Sequence, residues 1–264
     1  MTFTISRPLH IWWQLLKRDL HVFRGVYVDY LINTLLWPAQ ASLAFGYVFP
    51  LMGMPYTYGA FVLLASLVYK FLYESYFQAS EVVADINNLR SIDFTLILPL
   101  PTWLLFAKNV AYFMIRSVLL GGPIILIGKL ILQDRFPLGA WSPLYSFIIF
   151  LTASLFFALF SLLLIATVRN QIAFEHVWVR CFDVLTTWGS YYFPWHVLYQ
   201  FSPPVAYITL ANPFTLAAEG LRYSFLGRGH ALSFWPCVGG LWIEIILVGI
   251  IAYKMLKQRL DFVD

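Results

Sequence analysis

Lys70 and Glu74 stand four residues apart inside an apolar stretch, so the two charges share one helix face and can pair along it. Arg116 and Glu244 lie in two further apolar stretches. Charges at membrane depth are costly, and they mark either a transport path or an internal ion pair that fixes packing. Near an interface, such side chains instead reach out to water. Read as a relay, Lys70, Glu74, Arg116 and Glu244 would serve a carrier or channel driven by an ion gradient. Bond chemistry has little to work with. The sequence has no Gly-rich loop with a following Lys and Ser/Thr to cradle phosphates. It has no Ser-centred nucleophile elbow and no His-Glu-x-x-His zinc site. The five histidines (His10, His21, His176, His196, His230) are scattered, and Cys181 and Cys237 give neither metal spacing nor a disulfide framework. No catalytic residue, bound metal or bound cofactor is therefore expected of this chain.

The elements that would hold these charges are membrane helices. Of 264 residues, 61% are hydrophobic and 11% charged, against about 25% charged in an ordinary soluble domain. A bilayer core takes about 20 apolar residues per helix. Six segments meet that length: Val28–Pro50, Tyr58–Val82, Trp103–Leu132, Ser142–Val168, Phe182–Gln200 and Phe234–Met255. Between the last two, residues 201–227 are apolar but hold Pro203, Pro204, Pro213, Gly220 and Gly227. That segment is too broken for a simple span and reads as a re-entrant pair of short helices on the outer side. Residues 1–25 read as an interfacial helix, with Trp12, Trp13 and Leu16 on one face and Lys17 and Arg18 on the other. The expected fold is all-α: one permease domain over 1–264 with six transmembrane helices. Short segments on the inner side collect most of the Lys and Arg, which places both termini in the cytoplasm. The net charge of +4 is orientation information and not a nucleic-acid footprint.

Two polar or broken patches stand out within this layout. Residues 81–101 face the cytoplasm between the second and third spans. Ile86, Leu89 and Ile92 recur there every three residues on one helical face, between the charges Asp85, Arg90 and Asp93. Such a face docks into a partner's groove or lies on its own membrane domain. The second patch joins Trp188-Gly-Ser-Tyr-Tyr-Phe-Pro-Trp195 to Asn212-Pro213. There Pro194 is expected to kink the fifth span, and Asn212 to cap a short helix that carries Glu219 and Arg222 three residues apart. With Trp37 and Tyr47 on the first span, Trp188, Tyr192, Phe193, Pro194, Asn212 and Pro213 are the candidate path or gate residues. Aromatic residues amount to 19% of the chain. They suit sugar stacking, and they suit core packing equally well.

With these motifs in this order, the chain resembles the membrane subunits of type-2 ABC exporters. The resemblance covers nearly the whole chain. It runs from the amphipathic N-terminal helix through the polar segment ending in Leu98-Pro99 to Gly189-Ser190, Phe193-Pro194, Asn212-Pro213 and Arg222. The family often has Ser-Gly where this chain has Gly189-Ser190. The resemblance implies that Asp85, Ile86, Leu89, Arg90, Ile92 and Asp93 form the coupling helix that touches a separate ATPase. It also implies two ATPase copies carrying ATP and Mg, a second copy of this permease, and a place in the cytoplasmic (inner) membrane among its lipids. The cargo would be a lipid-linked glycan, a polysaccharide, a lipid or a drug-like amphiphile. The orientation is testable in a Cys-free background. Asp134→Cys is expected to react with an impermeant thiol reagent added outside, and Ser91→Cys to stay unlabelled; the reverse pattern overturns it.

Overall fold

Apolar runs of this length close their backbone hydrogen bonds internally, and helices do so within one segment. The protein, described here from a computed structural model, is defined over residues 6–87, 101–168, 170–227, 229 and 231–261, and it is all-helical over those residues. Helix α1 (Ser6–Leu43) continues through a π turn (Ala44–Val48) into a last turn at Phe49–Leu51. Three long helices follow: α2 (Tyr58–Asn87), α3 (Thr102–Leu132) and α4 (Pro143–Thr167). Then come α5 (Gln171–Val177), a second π turn (Trp178–Phe182) and α6 (Asp183–Thr187). Short helices α7 (Trp195–Phe201) and α8 (Pro203–Thr209) precede α9 (Pro213–Leu226) and the long α10 (Phe234–Asp261).

Among the described residues, four helices are long and apolar enough to cross a membrane: Tyr58–Ile86, Thr102–Arg135, Pro143–Thr167 and Phe234–Arg259. Two parts of the expected layout come out differently. From Ser6 onward, the expected interfacial segment and the expected first span share one uninterrupted helix, because α1 runs from Ser6 to Leu43 with no break. The expected fifth span is not one helix. It stops at Thr187 and resumes only at Trp195.

Cross-contacts fix the direction of each helix. Asp19 meets Lys108 at 2.7 Å, the Tyr27 hydroxyl donates to the Leu119 carbonyl at 3.2 Å, and the Tyr47 hydroxyl donates to the Ile131 carbonyl at 2.7 Å. Both sets of numbers rise together, so α1 and α3 run parallel along almost the full length of α3. By the same reasoning α2 is antiparallel to α3, with Gln78 donating to the Phe113 carbonyl and Leu63 packed on Gly128. α4 is parallel to α2, since Ser75 donates to the Phe157 carbonyl and Ser161 to Gln78. α10 is parallel to α4, with the Tyr145 and Phe234 rings 4.4 Å apart at one end and Arg259 donating to the Ile165 and Val168 carbonyls at the other. One end of the bundle thus gathers Tyr47, Tyr58, Leu132, Tyr145 and Phe234. The opposite end gathers Asp19, Lys108, Val168 and Arg259.

The arm from α5 to α6 runs antiparallel to α2. Phe174, Trp178 and Phe182 all pack edge-on against the Tyr76 ring. Further on, the Tyr192 carbonyl accepts from the Tyr58 hydroxyl at 2.8 Å. The core fills the space between α2, α4, α9 and α10, with Phe71, Phe157, Phe214 and Phe234 buried in it.

Where the first π turn meets the start of α2, two backbones touch. A Cβ on Gly59 would lie 2.5 Å from the Gly46 Cα and 2.8 Å from its nitrogen. Backbone atoms cannot swing aside as a side chain can, so Gly59→Ala is expected to cost about 1–3 kcal/mol by overpacking. Gly122 has open space around it, and Gly122→Ala is expected to leave stability unchanged or slightly raised. Unfolding midpoints in detergent compare the two; equal midpoints would show that the contact gives way.

Candidate functional site

Two polar centres stand out in the bundle. One is the broken region at the Tyr58 end. α6 closes at Thr187, and the chain turns through Gly189 and Ser190, the latter with φ at +58°. A side chain on Gly189 would run into the Leu185 carbonyl and the Phe214 ring, so a glycine is required there. That Leu185 carbonyl accepts from Asn212 Nδ2 at 2.8 Å, while Asn212 Oδ1 accepts from the Phe214 amide at 2.9 Å. Asn212 is thus the expected cap of α9, with Pro213 at its first helical position. The Gly189-Ser190 and Asn212-Pro213 motifs, more than twenty residues apart in sequence, meet in space. The expected kink at Pro194 is corrected. Pro194 has φ −72° and ψ 148° and is the cap residue of α7, so it interrupts no helix. An extended cap position suits a proline, which has no N–H to lose there.

Arg222, fully buried, anchors this region. Its guanidinium lies 3.4 Å from the Phe61 ring centroid and donates to the Phe61 carbonyl (3.3 Å), the Tyr191 carbonyl (3.2 Å) and Glu219 (3.0 Å). Glu219 also accepts from the Trp195 amide at 3.2 Å and the Leu232 amide at 3.0 Å. The expected pair between Glu219 and Arg222 is present and has backbone partners that spacing alone does not reveal. Tyr191 joins this region to the next. Its hydroxyl meets Ser66 at 2.9 Å and takes the Trp37 indole N–H at 3.1 Å.

The second centre is an ion network between α1, α2 and α3. Lys70 pairs with Glu74 at 2.5 Å. Arg116 lies 3.1 Å from Glu74, close enough for charge attraction although not aligned as a hydrogen bond. It also donates to Glu81 at 2.9 Å and 3.3 Å. Glu81 accepts from the Tyr30 hydroxyl at 2.8 Å, and the Tyr30 ring lies 4.5 Å from the guanidinium. The sequence offered Lys70, Glu74 and Arg116 as candidates. It did not single out Glu81 and Tyr30 as partners, because helix-to-helix neighbours leave no spacing signal. Beside this network is a cavity of about 530 Å³ between α1 and α2, with Tyr30, Trp37, Tyr69, Lys70, Tyr73 and Phe77 in its wall. Pro38 also lines it and has no amide hydrogen for the Thr34 carbonyl four residues back.

The remaining candidates are dispersed. Tyr47 is fixed by the Ile131 carbonyl and by the Arg135 guanidinium, 4.1 Å from its ring. Tyr192 packs on Tyr191 and Phe45 and, like Trp188, stays half-exposed; Phe193 is partly buried. Glu244 is on α10, away from the network, and its Oε2 finds no hydrogen-bond partner among the described residues. Asp85 and Ile86 lie in the last turns of α2, partly buried. Leu89, Arg90, Ile92 and Asp93 lie outside the described residues. Among the described residues no cluster of His, Cys, Asp and Glu could hold a metal ion.

No family model matches this chain, and no curated protein matches it.

Removing one partner of a buried charge pair costs about 3–5 kcal/mol. Glu219→Ala also strips the acceptor from two backbone amides, so it is expected to lower stability by at least that range. Arg18→Ala, which removes an exposed cation beside Asp19, is expected to change it by less than about 1 kcal/mol. Unfolding by added denaturing detergent measures both.

Proposed function

We propose that this chain is the membrane-spanning subunit of an ATP-driven exporter of amphiphiles, with ATP and Mg held by a separate ATPase subunit. The observation that carries the reading is the convergence of Gly189-Ser190 and Asn212-Pro213 on the buried Arg222. Those motifs also carry the resemblance to type-2 exporter subunits. In this reading six segments cross the bilayer: α1, α2, α3, α4, the arm from α5 to α6, and α10. Two observations support counting α1 and the arm. α1 keeps pace with α3 from Lys108 to Ile131. The arm covers the length of α2 between Tyr76 and Tyr58, and its 17 residues (171 to 187) span about 25 Å at 1.5 Å per residue.

The stretch from α7 to α9 is then re-entrant. It leaves the bundle after Tyr192, next to Tyr58, and comes back to the same end, where the Ser142 amide donates to the Ser224 carbonyl. In between, Asn212 reaches inward to Leu185. The outer side is the Tyr58 end, and both termini are cytoplasmic in the inner membrane. The coupling segment 81–101 follows from α2 at the opposite end. There Asp85 to Asp93 meet the ATPase, and two permease copies form the path between them. The ion-gradient carrier draws less support. Lys70, Glu74 and Arg116 are engaged with one another, and Glu244 stands apart from them.

The test is co-purification. Tagged chain expressed in its native cells is expected to bring down a nucleotide-binding chain, and Leu89→Asp to uncouple the ATP hydrolysis of that complex from transport while the permease still folds. If no such chain accompanies the folded protein, or if Leu89→Asp leaves coupled transport intact, the exporter assignment fails.

A further inference from the structure

We propose that the cavity between α1 and α2 binds the phosphate-bearing end of an amphiphile, with the Lys70 ammonium as its anion-binding group. This deepens the exporter reading and rests on it for the ligand's origin in the membrane. An ammonium has three N–H donors. One goes to Glu74, and among the described residues Lys70 has no second hydrogen-bond acceptor. Glu74, in turn, has a second cation in Arg116. Lys70 can therefore turn to an incoming anion while Glu74 stays paired. That exchange matters, because a buried carboxylate left alone is what normally makes such a move costly.

Lys70 and Arg116 are matched by Glu74 and Glu81, so the four charges balance, and water already takes up part of the Glu81 charge because its side chain is 45% exposed. Phosphate, with more acceptor oxygens than a carboxylate, suits a wall with several donor-bearing side chains: Tyr69, Tyr73 and Asn33 line the cavity with Lys70. Trp37 and Phe77 give the rest of the wall an apolar surface for the attached chain. Lys70 stands twelve residues into α2, about 18 Å from its start at 1.5 Å per residue. At that depth in a spanning helix, a headgroup carried by an apolar chain arrives more readily than a free ion.

The experiment measures binding of farnesyl phosphate, farnesol and inorganic phosphate to the purified full-length chain in detergent by titration calorimetry. Farnesyl phosphate is expected to bind at least about tenfold more tightly than farnesol. Lys70→Gln is expected to erase that preference and Lys70→Arg to keep it. Glu74→Gln, which releases Lys70, is expected to tighten binding, the opposite of what simple damage to the fold does. Equal affinity for farnesol and farnesyl phosphate overturns the proposal, and so does a preference that survives Lys70→Gln. If Lys70→Gln does not fold, the direction of the Glu74→Gln effect decides. Failure of inorganic phosphate to compete assigns the site to a lipid-borne headgroup, and competition at similar concentration assigns it to a free anion. No ATPase is needed here. A phosphate preference without a co-purifying ATPase sinks the exporter reading alone, and the converse sinks the cavity proposal alone.

Discussion

A buried guanidinium must find acceptors for its N–H groups inside the protein, and Arg222 finds them in three different parts of the chain. The Phe61 carbonyl belongs to the first turn of α2, the Tyr191 carbonyl to the turn after α6, and the Glu219 carboxylate to its own helix. Glu219 passes the constraint on to the start of α7 and to the loop before α10 through the Trp195 and Leu232 amides. Where the helices are broken, backbone amides lose their usual partners, and buried ones must be satisfied by side chains. This pair therefore sets where α7, α9 and α10 begin relative to α2. The rest of the Tyr58 end follows from it.

Local signals carried much of this into the sequence. The Lys70–Glu74 pair follows from four-residue spacing, and the Asn212 cap follows from a side-chain acceptor ahead of a proline that opens a helix. The long apolar runs read correctly as helices. What stayed hidden was set by contacts across the fold. α1 reads as two elements because its polar residues, among them Lys17, Arg18 and Asp19, describe a surface helix. Yet Leu16 and Phe23 are buried, and Asp19 meets Lys108 on α3. Pro194 read as the kink because it is the strongest helix breaker in its patch, whereas α6 already ends at Thr187, seven residues earlier, ahead of Gly189. Glu81 looked like part of a cytoplasmic loop, and its pairing with Arg116 depends on the register between α2 and α3.

The two polar centres are not independent. Tyr191 gives its carbonyl to Arg222 and its hydroxyl to Ser66 and Trp37. Ser66 and Trp37 both line the cavity beside Lys70. One residue of the turn after α6 therefore touches the anchor of the broken region and the wall of the cavity. Whatever fills that cavity presses on Trp37, and through Tyr191 on the partners of Arg222.

α4 and α10 form the most extensive helix pair in the bundle, and it is pinned at both ends. Tyr145 stacks on Phe234 at the Tyr58 end, and Arg259 donates to the carbonyls of Ile165 and of Val168, just past the end of α4, at the other. Two parallel rods fastened top and bottom resist sliding past one another and would tilt as a single plank. α9 is packed on that plank, with Gly220 against Ile149 and Cys237, and is tied to it by the bond between Ser142 and Ser224. A push at the Arg259 end would then reach the buried guanidinium as leverage, with the length of a whole helix as its arm.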